Sequence, residues 1–176
     1  MAMANRKPAI CCYVGLGSNL NQPVKQIELA LAELHRLPGT RCEIVSSLYH
    51  SQPMGPADQP DYVNAVAQLI TKYRAADLLT QLLRLENAHG RQRNPELQNG
   101  PRTLDLDLLL YDEQQIDQSG LTVPHPGLHQ RDFVVLPLLE ISPEITIPGV
   151  GALAEWREKC LTHGAQQGGR PKWWTE

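Results

Sequence analysis

The chain has 176 residues, 41% of them apolar and 20% charged, with a formal net charge of -3 at neutral pH. That balance is of an ordinary globular domain with a full-sized core, and it excludes bulk attraction to nucleic acid or an anionic membrane. Aromatic residues reach only 5%, with a single Phe, too few for a platform that stacks single strands.

No apolar run is long enough to cross a bilayer. Arg6 and Lys7 precede the apolar run 10–14, which stops at Gly15 with no cleavage site and is too short for a signal-peptide core. Cys11, Cys12, Cys42 and Cys160 match neither a disulfide framework nor a zinc ribbon. They are expected to be reduced thiols in a cytoplasmic protein.

In chain order, 10–16 reads as a buried strand closed by the turn Gly15-Leu16-Gly17-Ser18-Asn19. Val24, Ile27, Leu31, Leu34 and Leu37 then recur at helical steps until Pro38-Gly39 stops them. Residues 41–51 alternate, with Cys42, Ile44, Ser46 and Leu48 on one strand face. The segment 52–61, QPMGPADQPD, is a loop by its prolines. Residues 62–71 form a strand that sets Val63, Ala65, Ala67 and Leu69 against Tyr62, Asn64 and Val66. A second amphipathic helix is predicted over 74–89, with Ala75, Leu78, Leu79, Leu82 and Leu85 as its stripe.

A polar loop, GRQRNPELQNGP, leads into the strand of LDLDLLLY. Beyond it come LTVPHPGLHQRDF, an apolar segment 134–141, a short strand near 144–147 and a helix near 151–161. The tail from 165 has no periodicity and is expected to be loose. The order strand, helix, strand, strand, helix, strand predicts an α+β ferredoxin-like split β-α-β core, a mainly antiparallel sheet with helices packed on it. One domain over 1–176 is expected, with its core at about 10–161.

Asp105 and Asp107 lie two apart on a strand, so both carboxylates point one way, about 6.5–7 Å apart. An isolated D-x-D is more often a solvated face. Here Arg91, Arg93 and Arg102 stand in or beside the preceding loop, and the combination suits Mg²⁺ and a polyphosphate. Two outcomes for stability follow. Either the like charges repel, or the arginines pair with both aspartates to hold the fold.

His125, Arg131 and Phe133 form another cluster. His125 and His129 have the spacing of a zinc pair, but Pro126 and Gly127 argue against the helix it needs. Tyr62 and Asn64 share a polar strand face that suits a flat heterocycle. No P-loop, dinucleotide fingerprint or nucleophile elbow is present.

The segments VGLGSNL at 14–20, SSLYHSQPMGPADQPDYVNAV at 46–66, GPRTLDLDLLLY at 100–111 and LTVPHPGLHQRDFVVLPLLEI at 121–141 together resemble the 6-hydroxymethyl-7,8-dihydropterin pyrophosphokinase family of folate biosynthesis. The resemblance implies transfer of the pyrophosphoryl group of ATP to the pterin hydroxymethyl group, with release of AMP. It implies two Mg²⁺ on Asp105 and Asp107, and catalytic roles for Arg91, Arg93 and Arg102. ATP would be held by Arg91, Arg102, His125 and Arg131. The pterin would lie among Ser51, Met54, Tyr62, Asn64 and Phe133, under a loop 90–101 that closes over ATP. A monomer without nucleic-acid or membrane partners is expected. Where relatives often carry Trp before GPR, an aromatic after VPH or Arg before LTVPH, this chain has Asn99, Pro126 and Gly120.

Two rivals remain at this level. Polymerase palms and nucleotide cyclases set paired aspartates on a similar sheet. RNA-recognition domains share the topology, but low aromatic content and negative charge count against one.

Overall fold

The computed structural model describes residues 8–91, 99–160 and 162–172. The elements are β1 (Ile10–Ser18), α1 (Pro23–Arg36), β2 (Thr40–Val45), β3 (Tyr49–Ser51), β4 (Tyr62–Thr71), α2 (Ala75–Ala88), β5 (Asp105–Tyr111), β6 (Ile116–Gln118), β7 (Leu121–Val123), α3 (Asp132–Ile141), β8 (Thr146–Ile147), β9 (Gly151–Ala152) and β10 (Gln166–Gln167). The main sheet runs β10-β3-β4-β1-β5, with β2 also on β4. All its pairs are antiparallel. β1 and β2 therefore run the same way with β4 between them, and β4 and β5 do so around β1. This is the split crossover that the element order predicts.

Alternation along the strands builds two cores. Cys12, Val14, Leu16, Ala65, Ala67, Leu69, Leu106 and Leu108 face α1 and α2, meeting Ile27, Leu31, Leu34, Leu78 and Leu82. Val66 and Leu109 face the other way, onto Val135 and Leu138 of α3 and onto Ile147 and Leu153. Truncating a fully buried leucine such as Leu82 to Ala would cost about 2–5 kcal/mol. Asp105, Asp107, Tyr62 and Asn64 lie on this second face. They stand near the start of α3, where Gly15 and Gly17 carry no side chain to fill the space.

Several sequence expectations are corrected. A register shift between Cys42 and Ile44 turns Ile44 outward, so 41–51 is not one alternating strand but β2 and β3. Val24 is exposed because the stripe of α1 begins at Ile27. The segment 134–141 is the helix α3, which starts at Asp132.

Among the described residues no α-helix follows Gly151. Its φ of 104° lies outside helical space, and the chain makes β9 and a short 3-10 turn, Leu153–Trp156, pinned by buried Leu153. The tail is held rather than loose over its described part. β10 pairs with β3, and Leu48 exchanges backbone bonds with Gly168 and Gly169. Cys11, Cys12, Cys42 and Cys160 are free thiols. Among the described residues no helix is long and apolar enough to cross a membrane.

Candidate active site

The turn after β1 ties the site together. Ser18 donates to the Thr103 carbonyl at 2.6 Å. Asn19 donates its backbone N–H to the Arg102 carbonyl and accepts the Arg102 N–H on Oδ1 at 2.8 Å. Its Nδ2 donates to the Pro60 carbonyl at 2.9 Å and to Gln59 Oε1 at 3.1 Å. Gln59 in turn donates to the Asn99 carbonyl at 2.9 Å. The loop before β4 and the segment before β5 are thereby fastened to the same turn. The approach at Gly55 is so close that a Cβ there would stand 2.3 Å from the Asn99 carbonyl oxygen, so only glycine fits.

Below that knot lies a cleft of about 500 Å³ of open space, lined among others by Ser51, Met54, Tyr62, Asn64, Arg102 and Phe133. Asp105, Asp107 and Arg131 also reach it. The Tyr62 hydroxyl donates to the Gly100 carbonyl at 2.9 Å, which fixes its ring as one wall. Asn64 spends its amide N–H groups on Ser51 Oγ at 2.9 Å and the Tyr49 carbonyl at 3.3 Å. Its Oδ1 lies 3.4 Å from where a Cβ on Gly17 would be. That amide oxygen is free to accept from the polar edge of a flat ligand.

A second recess, about 630 Å³ of open space, adjoins the first along the edge strand β5. Leu79, Leu106, Leu108, Leu121, Thr122, His125 and Pro126 line it, and Asp107 belongs to both recesses. In sequence, Leu79, Leu108, Leu121 and Thr122 carried no sign of belonging to a site. β6 and β7 are three residues each and too short to register as strands.

The two aspartates have unlike surroundings. Asp105 is gripped by Arg102 at 2.6 Å and Arg91 at 2.8 Å. Arg91 also pairs with Glu86. It lines neither recess and sits behind Asp105. Among the described residues, the one ion-pair partner of Asp107 is the imidazole Nε2 of His125, 3.9 Å from its Oδ2. Burial first, then the charge of Asp105, pushes the Asp107 carboxyl up to about 7, against the pull of Arg131. Burial works against the Arg102 charge, yet Asp105 holds its pKa above the usual value.

His125 accepts the Gly127 N–H on Nδ1 at 3.1 Å, which leaves the ring proton of the neutral form on Nε2, facing Asp107. Burial, then Arg131, lowers the His125 pKa and favours that neutral form. The Arg131 guanidinium lies over Gly127, so closely that a Cβ there would fall 2.7 Å from Nε.

Glu86 is a further residue that the sequence did not point to as part of the site. It is 1% exposed, accepts the Leu106 N–H at 2.8 Å and backs Arg91. Its signal was an acid continuing the apolar stripe Leu78, Leu82. Arg93 lies outside the described residues, as does most of the loop 90–101 predicted to close.

Among the described residues no cluster of three or more His, Cys, Asp or Glu could hold a metal. Two hard carboxylates on one strand face do fit a magnesium-like cation that takes its other ligands from water and substrate oxygens. The raised pKa of Asp107 fits too, because burial and the neighbouring Asp105 charge disfavour its anion, and a bound cation would offset both.

A family model described as 7,8-dihydro-6-hydroxymethylpterin-pyrophosphokinase matches residues 13–143. The 2-amino-4-hydroxy-6-hydroxymethyldihydropteridine pyrophosphokinase of Haemophilus influenzae is 44% identical over 154 residues, covering 88% of this chain and 95% of the relative. That of Pseudomonas aeruginosa is 46% identical over 155 residues, covering 88% and 94%. Among solved structures, an HPPK-DHPS chain in complex with substrates superposes with a TM-score of 0.67 at 12% identity, over 86% of this chain and 43% of the other. A Plasmodium falciparum HPPK-DHPS triple mutant gives 0.70 at 11%, over 89% and 42%. The chain spans less than half of those two solved chains, and at such identities they support the fold alone.

Proposed function

The chain belongs to the 7,8-dihydro-6-hydroxymethylpterin-pyrophosphokinase family and transfers the pyrophosphoryl group of ATP to 6-hydroxymethyl-7,8-dihydropterin in folate biosynthesis; we propose that it does so where the two recesses meet at Asp107. That meeting is the observation that carries the assignment. A two-substrate transfer needs two pockets whose contents face each other across a charged centre, and Asp107 lines both.

In this reading the pterin occupies the cleft of Ser51, Met54, Tyr62, Asn64 and Phe133. Tyr62 and Phe133 offer ring faces, and Asn64 Oδ1 accepts from the ring edge. The nucleotide lies against β5, its base in the apolar recess of Leu79 and Leu121, its phosphates directed to His125, Arg131 and Arg102. Asp105 and Asp107 would hold two Mg²⁺. When bound, such ions neutralise phosphate charge and align the donor.

The pterin hydroxyl attacks the β-phosphorus. The bond from that phosphorus to the oxygen bridging it to the α-phosphate breaks, and AMP leaves with that oxygen. The attacking oxygen loses its proton to solvent. No covalent enzyme intermediate is needed. The residues' work is placement and charge neutralisation. Neutral His125 donates Nε2–H to a phosphate oxygen. Arg102, tethered to Asp105, presents a fixed guanidinium from the other side. Arg93 would join them when the loop 90–101 covers the nucleotide and excludes water. The reading also takes the chain as one domain, monomeric and cytoplasmic, which sedimentation and fractionation test.

The site assignment is tested by separate binding and turnover. The parent should form AMP in step with pterin diphosphate. Folded Asp107→Asn should form almost none. Tyr62→Ala should lose pterin affinity and keep that for MgATP. Normal turnover in Asp107→Asn, or unchanged pterin binding in Tyr62→Ala, would place the chemistry elsewhere.

A further inference from the structure

The segment 162–172 passes beside the pterin cleft, outside the matched region 13–143, and it touches two residues that line the cleft, Gln52 and Phe133. Asp132, at the first position of α3, is 6% exposed. Its Oδ2 accepts the N–H of His163 at 2.7 Å and of Ala165 at 3.1 Å, and lies 3.4 Å from Thr162 Oγ1. Its Oδ1 lies 3.3 Å from His163 Nδ1. The His163 ring, so held, meets the Phe133 ring edge-on, with centroids 5.2 Å apart and planes at 76°. The His163 carbonyl accepts the Gln52 N–H at 2.8 Å. Phe133, Ser51 and Gln52 all line the cleft.

A carboxylate buried to this extent needs its lone pairs satisfied, and here they are satisfied by a remote segment rather than by its own helix. The bonds fix where 163 sits, and 163 fixes a ring on one side and a backbone on the other. An edge-on neighbour limits tilt of the Phe133 ring, because the positive rim of one ring meets the negative face of the other. A ring that must lie flat on a heterocycle gains affinity from being held in place before binding.

We propose that Asp132 and His163 form a clasp that positions Phe133 and the Ser51–Gln52 wall for the pterin, making them positioning residues for this half of the reaction only. The proposal rests on the placement of the pterin in this cleft. Neither residue lines the nucleotide recess.

The test is calorimetry with 6-hydroxymethyl-7,8-dihydropterin in the presence of Mg²⁺ and α,β-methylene-ATP, and with that nucleotide alone. The methylene replaces the bridging oxygen that must leave, so the nucleotide binds without turnover. Asp132→Ala and His163→Ala should each weaken the pterin about tenfold and nucleotide binding less than about twofold. His163→Phe keeps a ring against Phe133 and the backbone bonds to Asp132, so it should restore most of the loss. Asp132→Asn, which still accepts one backbone N–H, should fall between.

A merely structural role would lower melting temperature and weaken both ligands alike. That result overturns the proposal, as does pterin affinity within twofold of the parent in folded His163→Ala and Asp132→Asn. Asn64→Ala serves as control. If it loses pterin affinity while the clasp variants do not, the clasp is wrong and the cleft assignment stands. If it too binds normally, the cleft assignment fails and the clasp with it.

Discussion

Replacing Asp107 by Asn should raise the stability of the ligand-free protein, and replacing Asp105 should lower it. The Asp107 carboxyl is pushed from 3.8 to about 7, by burial first and by Asp105 second. At about 1.4 kcal/mol for each tenfold change, this is about 4 kcal/mol against the charged form before screening. The side chain keeps 39% of its surface open to the cleft. Water there screens the charge, leaving about 1–2 kcal/mol.

The direction with pH follows from proton binding. Between about pH 4 and pH 7 the folded protein holds a proton on Asp107 that the unfolded chain has released, so this group makes stability fall as pH rises through that window. Above pH 7 the whole penalty is present, and Asn removes it. In EDTA at pH 8, Asp107→Asn should melt about 2–6 °C above the parent, and the gap should close by about pH 4. Asp105→Asn breaks the grip of Arg91 and Arg102, leaving Arg91 with Glu86 alone and the Arg102 guanidinium short of an anion, costing about 1–3 kcal/mol. Both variants should lose nearly all turnover in excess Mg²⁺. Paired melts across pH 4–9 decide. Asp107→Asn melting below the parent at pH 8, or Asp105→Asn melting at or above it, would refute the electrostatic reasoning.

Gly17→Ala places a methyl 3.4 Å from Asn64 Oδ1 and 3.9 Å from the Tyr62 ring. It should weaken pterin binding about tenfold with little change in melting temperature, read by calorimetry and a thermal scan. Arg93→Ala should lower kcat about a hundredfold with a smaller effect on ATP affinity, because its charge acts when phosphate charge is redistributed; rapid-quench turnover beside nucleotide titration separates the two. His125→Ala should weaken the nucleotide about three- to tenfold and spare the pterin, since His125 lines the β5 recess and is not among the residues lining the pterin cleft, as separate titrations of each ligand would report. Asn19→Ala should cost about 2–3 kcal/mol in denaturant unfolding, since it strips partners from the Arg102 N–H and the Pro60 carbonyl.

Where period and burial agree, the fold was readable from residues alone. Ile27, Leu31 and Leu34 recur at helical steps because one face of α1 meets the sheet. The alternation of 62–71 survives because β4 is buried on both faces and each residue parity has its own core. α3 had no readable period because DFVVLPLLEI is apolar nearly all round, with Pro137 inside it. The expected helix beyond residue 151 failed because side-chain pattern says nothing of the backbone that Gly151 adopts.

The carboxylate pair, Tyr62 and Asn64 were legible as residue types on known strand parities, and the arginines as charges in or beside the adjoining loop. The unlike roles of Asp105 and Asp107 were not, because they depend on where Arg91 and Arg102 turn after the chain folds. The apolar recess was hidden for another reason. It is assembled from Leu79 of α2, Leu106 and Leu108 of β5 and Leu121 and Thr122 of β7, and none of these segments differs from ordinary core on its own.

The turn at Asn19 shows why a weak motif can matter more than a strong one. In sequence, Gly17-Ser18-Asn19 is only a plausible strand end. In space, its bonds reach the loop that carries Pro60 towards Tyr62 and the segment that carries Arg102 towards Asp105. The first of these positions a wall of the pterin cleft, and the second positions the charged centre. A phosphoryl transfer depends on the distance and angle between an acceptor oxygen and a phosphorus, so two independently placed loops would leave that geometry loose. Fastening both to one buried amide makes their separation a property of the β1 turn. The strongly patterned GPRTLDLD supplies the charges, and the turn sets where they stand relative to the acceptor.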